Sequence, residues 1–413
     1  MKQLLRSLPH VLQQANRLSD VRRMSRTYSV YMWGSGDHGQ LGLGSIHKSG
    51  MIMRTYKELS PRPLPSIGDC EIADMSCGLD HTLAVTSEGK VFAWGNPKYG
   101  KLGLGAETSG DVLVPAEVDA FGGVPIVSVV CGENHSAAVD EKGRLWTWGY
   151  GGGSWLSGGG MLGHGNENQL DTPKLVESLV EEGVTVKTVC CGELHTSILT
   201  DDGEVMSCGA GEYGRLGNGN TYDVNIFEPL EYIADEEVTK LVSGHAFSLA
   251  LTKDGVIYCW GRNDQGQLGM GATLSLDVYS MEADPNLIEA FHNLEIKEIA
   301  AGHSHAAALT SDGVLYMWGM KNYLEPQVFK VMKNDGSDGS EPEEATIRSL
   351  ACGMNFTCVL SDEGDLFTFG KGGSNCLGHG DGKYRAQPEL VRDISNVAFV
   401  RSSHRHIAAF VEK

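Results

Sequence analysis

The chain has 413 residues, 54 of them glycine, and a formal net charge of −20. Its apolar runs are only a few residues long, far short of the ~20 that a membrane-spanning helix needs, and its acidic balance repels nucleic-acid phosphates at long range. None of its ten cysteines forms a Cys-x-x-Cys pair, so neither a zinc framework nor a disulfide framework is expected.

Residues 1–28 stand apart. They hold Lys2, Arg6, Arg17, Arg22, Arg23 and Arg26 against Asp20 alone, a net of +5, which leaves −25 on the rest. Leu5, Leu8 and Leu12 share one face of a helix, which Pro9 shortens. An Arg-rich, acid-poor leader resembles a mitochondrial import sequence, and Arg26-Thr27-Tyr28-Ser29 resembles a matrix-processing site with scission after Tyr28. The expected organisation is a leader over 1–28 and one repeat domain over 29–413, located in the mitochondrial matrix or at the matrix face of the inner membrane.

Repeats begin at Trp33-Gly34. Residues 72–105 show one unit whole: a strand ending Cys77-Gly78-Leu79-Asp80-His81, a second strand through Leu83-Ala84-Val85, and a turn at Glu88-Gly89. A third strand ends at Trp94-Gly95, and a loop carries Leu102-Gly103-Leu104-Gly105. Alternation with a period of two predicts strands, and the polar residue followed by Gly predicts a hairpin. The Gly-x-x-His mark recurs at His81, His135, His195 and His305. Phe247 and Phe356 replace the histidine in two copies, and His406 follows Ser403 in place of glycine. Third strands end at Trp33, Trp94, Trp148, Cys208, Trp260, Trp318 and Phe369, each followed by Gly.

Seven copies at this spacing predict an all-β, seven-bladed β-propeller. Trp33 has no strands before it, and Val397–Val411 has no Trp-Gly strand after it. One blade is therefore expected to be shared between the N- and C-terminal strands, which removes the open edges. The sixth unit departs from the pattern: Met320-Lys321-Asn322-Tyr323 stands where the glycine loop belongs. The acidic stretch 333–345 reads as a surface loop.

The recurring histidines invite a metal reading, but each starts an interior strand and two copies carry Phe. They read as packed residues hydrogen-bonded to a neighbouring loop, so no metal site is expected from them. No Ser-His-Asp set, phosphate loop or acid pair falls at a recognisable spacing, and no cofactor or covalent chemistry is expected.

Cys-Gly-x-x-His, the x-Gly turn, Trp-Gly and Gly39-Gln40-Leu41-Gly42-Leu43-Gly44 together resemble the repeats of the regulator of chromosome condensation family. The resemblance covers about residues 30–411. It implies a partner-binding propeller, because the founding member exchanges guanine nucleotide on a nuclear GTPase. That member uses a wedge after its third Trp-Gly and acids beside the recurring histidine. By that resemblance the partner-binding residues are Asp80, Glu133 and Glu193, with Gly152, Trp155 and Leu156 in the enlarged loop after Trp148-Gly149. Leu194 stands where the family places an acid in the fourth unit, with Glu193 one residue earlier, which weakens the match to the nuclear GTPase. A family branch that senses ultraviolet-B light uses tryptophans in the Gly-x-x-His loops; Leu79-Asp80, Glu133-Asn134, Glu193-Leu194 and His303-Ser304 carry none, so photoreception is not expected.

The resemblance to the mitochondrial branch implies an exchange factor for a small or dynamin-like GTPase. Its alternative is a non-catalytic scaffold in mitochondrial ribosome assembly or RNA processing, with ribosome-assembly factors or RNA as partners. No DNA and no integral membrane insertion are expected.

Overall fold

The computed structural model describes residues 27–44, 56–68, 70–153, 158–271, 280–334, 341, 343–373, 375–402 and 404–413. Among these, seven antiparallel four-stranded sheets stand around one axis, the propeller read from the repeats. The blades are numbered here by the order of their Trp-Gly strand. Blade 2 is representative: Ile72–Cys77, His81–Thr86, Val91–Gly95 and Val112–Glu117 run from the axis outward. The first strands of all seven blades line an axial channel.

The burial of each strand follows from its place. A second strand is covered on both faces by adjacent blades, so His81–Thr86 is buried at every position, as are His135–Asp140 and His195–Thr200. Both faces must then be small or apolar, which explains why these strands do not alternate. The outermost strands face water on one side and are only partly buried, as in Val112–Glu117. The six expected x-Gly turns are present, with φ between +75° and +94° at Gly89, Gly143, Gly203, Gly255, Gly313 and Gly364. A left-handed backbone there favours glycine.

Closure takes place in blade 1. Tyr28–Ser35 pairs antiparallel with His406–Glu412 from Tyr28↔Glu412 to Gly34↔His406, and the sheet is completed by Lys57–Pro63 and Val397–Ser402. The shared blade is therefore built as expected, with one correction at its edge. Tyr28, assigned to the leader, belongs to the blade: it is buried and packs edge-on against Phe399 and Phe410, centroids 5.2 and 5.8 Å away. The rest of the leader, residues 1–26, lies outside the described residues.

Where the sixth unit departs from the pattern, Gly319 pairs directly with Tyr323, and Met320 and Lys321 both take positive φ. The stretch 333–345 begins and ends in a short hairpin, Met332–Asn334 with Glu343–Glu344; residues 335–340 and 342 lie outside the described set.

Candidate functional site

Each Gly-x-x-His loop sends its residues in two directions. The histidine turns between blades. His81, His135, His195, His305 and His406 are buried, and each places Nε2 beside a hydroxyl on the second strand of the next blade: Ser136 at 3.0 Å, Thr196 at 3.0 Å, Ser248 at 3.3 Å, Thr357 at 3.1 Å and Thr82 at 2.7 Å. Thr82, Ser136 and Thr196 donate their own protons to the carbonyls of Gln40, Lys101 and Met161. Each of these three hydroxyls therefore accepts from imidazole Nε2–H, which sets the neutral tautomer of His406, His81 and His135. The sequence reading expected a loop as the partner; the structure supplies a strand hydroxyl instead. Where Phe247 and Phe356 replace histidine, the matching position on the next blade is Ala306 or Ile407, with no hydroxyl to satisfy. Burial holds these rings neutral, pushing His135 and His305 down to about 4 and His406 to about 3.

This packing also explains the loop's glycine. A Cβ on Gly78 would lie 2.4 Å from the His81 ring and 2.9 Å from the carbonyl of Gly132 on the next blade. Gly132, Gly192, Gly244 and Gly302 meet the same two neighbours.

Around the ring the residue after that position is Leu79, Glu133, Glu193, His245, His303, Met354 and His404. His245, His303, Met354 and His404 line the mouth of the channel. Backbone bonds tie the loops to one another, Glu193 N–H to the His245 carbonyl and Met354 N–H to the His404 carbonyl. Glu133 Oε1 lies 2.8 Å from His404 Nε2 and 3.3 Å from His245 Nε2. The other nitrogen of His245, Nδ1, is 3.3 Å from Glu193 Oε2, and the His303 ring lies against the His245 ring, tilted by 39° with centroids 4.0 Å apart. Burial alone would raise the Glu133 carboxyl, but the hydrogen bond from His404 and the nearby imidazoles hold it at about 2. Burial lowers His245 to about 3 and lowers His303 as well. At neutral pH the mouth therefore holds an ionised carboxylate among imidazoles.

The other acids named from the sequence have their own counterions. Asp80 pairs with Lys101 and accepts a 2.7 Å bond from Asn96. Glu193 lies 3.4 Å from Arg215. Lys101 and Arg215 are each only 1% exposed; they occupy the place that Gln40 and Gln267 hold in the glycine loops of blades 1 and 5. Asp80 and Glu193 thus compensate buried cations, and burial together with Glu133 raises the Glu193 carboxyl.

The enlarged loop rises from the same face. Tyr150 N–H donates to the Asn134 carbonyl at 2.9 Å, one residue from Glu133. Gly160 N–H donates to Gly151 at 2.7 Å, which closes the loop's base, and Gly159 N–H reaches Asp223 on the next blade at 3.3 Å. Gly152 is within this base, its Cα so close to Gly159 that a Cβ would lie 2.2 Å away. Trp155 and Leu156 lie outside the described residues. The structure thus brings the described base of the enlarged loop next to the loop that carries Glu133. Sequence reasoning missed His245, His303 and His404, because it followed the last position of the repeated loop rather than the first.

Family models match most of the chain: an RCC1-like domain over residues 154–413, and regulator of chromosome condensation (RCC1) repeats over 29–85 and 88–139. The ultraviolet-B receptor UVR8 of Arabidopsis thaliana is 29% identical over 368 residues, 89% of this chain and 78% of its own. RUG3, a mitochondrial RCC1 domain-containing protein of the same plant, is 32% identical over 68% of this chain and 61% of its own. Human HERC2, an E3 ubiquitin-protein ligase, is 35% identical, but this chain spans only 6% of its length. Among solved structures, human WBSCR16 superposes with a TM-score of 0.78 over 94% of this chain and all of its own, at 23% identity. Prp20p of Saccharomyces cerevisiae gives 0.76 over 94% and 92%, at 22%.

Proposed function

Because the chain belongs to the regulator of chromosome condensation repeat family, we propose that it is a partner-binding propeller acting as a guanine-nucleotide exchange factor in mitochondria. The observation that supports this reading is the base of the loop after Trp148: Tyr150 is bonded to Asn134, the neighbour of Glu133, and the base is closed between Gly151 and Gly160 and fastened to Asp223 through Gly159. A wedge needs such an anchored base, since it acts by occupying the space that phosphate and Mg²⁺ must vacate. Prp20p, of the same fold, is described through its binding to Gsp1p and histones. The Arg-rich residues 1–26 and the relation to mitochondrial RUG3 support the compartment.

The test begins with capture from a mitochondrial matrix extract, followed by release of labelled GDP from the GTPase recovered. Exchange predicts a GTPase whose GDP release the protein accelerates. Replacing Gly151–Gly160 by a short Gly-Ser turn then abolishes the acceleration and leaves the melting temperature unchanged. Ribosome-assembly proteins without a GTPase, or normal release by the loop-replaced protein, would establish the scaffold reading instead.

A further inference from the structure

We propose that the mouth of the axial channel is a binding site for a divalent transition-metal ion of the Zn²⁺ class, with Glu133, His245 and His303 as ligands and His404 at the fourth position. One ligand atom from each of the first three lies within 4.8 Å of the others. A tetrahedral ion with bonds of about 2.0–2.1 Å separates its ligands by roughly 3.4 Å. The 3.3 Å between Glu133 Oε1 and His245 Nε2 is already that edge, and small side-chain rotations bring in His303. His404 Nε2, 2.8 Å from the same carboxylate oxygen, needs to retreat by about half an ångström to reach tetrahedral spacing.

A second observation points the same way. His245 lies between two carboxylates, with Nε2 facing Glu133 and Nδ1 facing Glu193, each at 3.3 Å. A neutral imidazole has one N–H and one lone pair, so it can donate to only one of them. When Nδ1–H donates to Glu193, the Nε2 lone pair is left aimed at a carboxylate oxygen, a repulsive contact that a cation between the two atoms removes. The His303 ring lies against His245, tilted by 39° with centroids 4.0 Å apart, and brings a further ligand atom to the same place. A metal ion accepts lone pairs from the imidazoles and the carboxylate together.

Glu193 then serves as the outer carboxylate that orients a ligating histidine, and Arg215 at 3.4 Å holds Glu193 in turn. The donor set of imidazoles and one carboxylate suits Zn²⁺, Co²⁺ or Cu²⁺ and is a poor match for Mg²⁺ or Ca²⁺, which take oxygen ligands. The site is separate from the five histidines between blades, whose Nε2 atoms are committed to hydroxyls. It needs no GTPase, so it stands or falls independently of the exchange reading.

The experiment uses the full chain, stripped with chelator and titrated with CoCl₂. We expect one equivalent bound with the visible d–d bands of four- or five-coordinate Co²⁺, displacement by one equivalent of ZnCl₂, and a melting temperature that rises with Zn²⁺. Glu133→Gln and His303→Ala should each weaken binding at least about tenfold, and Glu193→Gln by about ten- to a hundredfold through the orientation of His245. The metal-free melts of these variants show that they are folded. Glu133→Gln keeps the side-chain shape and so remains informative if His303→Ala does not fold. Unchanged Co²⁺ spectra in Glu133→Gln, no binding by the wild type, or octahedral bands alone would overturn the proposal.

Discussion

The same loop yields two kinds of histidine, three residues or fewer apart, and they behave in opposite ways. The last position of Gly-x-x-His points between blades, where His81 and His135 are fully buried and each spends its one N–H on the next blade. The first position points to the axis, where the side chains of His245, His404 and Glu133 keep 13–15% of their surface exposed and crowd around one carboxylate. Direction rather than residue type decides the role. A histidine at the seam has a single satisfied neighbour, whereas a histidine at the mouth has several competing ones.

The most severe test of the seam is to open the ring. Deleting Val397–Lys413 removes both C-terminal strands of blade 1 and leaves Tyr28–Ser35 paired only with Lys57–Pro63; the cooperative thermal transition should disappear in calorimetry. Removing only residues 1–26 should leave the transition where it is. Extending that cut through Tyr28 should lower it, because Tyr28 fills the cluster with Phe399 and Phe410.

Next in size are the indoles. Trp94 and Trp148 donate to Gln40 and Lys101 carbonyls in the preceding blade's glycine loop, both at 2.9 Å. Trp94→Ala should cost about 3–5 kcal/mol in denaturant titration, the usual range for a buried tryptophan.

Acid should act on the seam as well. The buried histidines have folded-state values below the ordinary 6.5, about 4 for His135 and His305. The unfolded chain therefore takes up protons that the folded chain refuses. Their contribution is complete above pH ~6.5 and is lost as pH falls toward ~4, at about 1.4 kcal/mol per pH unit for each histidine. Melting temperatures measured from pH 8 to pH 4 should be flat and then fall steeply. The paired change His135→Phe with Thr196→Ala copies the natural pairs Phe247–Ala306 and Phe356–Ile407. It should make the fall shallower by one proton and cost under about 1.5 kcal/mol at pH 7.5, as conservative repacking does.

Much of this was legible in the repeats. Seven repeated third strands, five of them ending Trp-Gly, and two incomplete ends specify a closed ring, because each blade leaves apolar faces that only a neighbour can cover. Phe369, in place of tryptophan, follows the one blade whose glycine loop is replaced by Met320–Tyr323, so the carbonyl that would accept an indole N–H is missing. That pairing can be read from sequence once the seam is known. The mouth was not legible in the same way. Glu133 was identified by resemblance, but His245, His303 and His404 occupy a position that changes from blade to blade and brings together residues up to 271 apart. Only ring closure puts them side by side. Likewise, Asp80 and Glu193 look free in sequence, and only the fold shows Lys101 and Arg215 buried beneath them.

Seam residues hold the ring, whereas the role proposed for the mouth residues is binding. The most direct measurement is the melting temperature at pH 7.5, without added metal, of two triple variants side by side. His81→Ala/His135→Ala/His195→Ala should be unfolded or melt far below the wild type, because three blade-to-blade contacts are lost and cavities remain. Glu133→Gln/His245→Gln/His303→Gln should melt within a few degrees of it, because water reaches the partly exposed mouth and replaces those contacts. Equal losses in the two variants, or a larger loss in the mouth variant, would contradict this division.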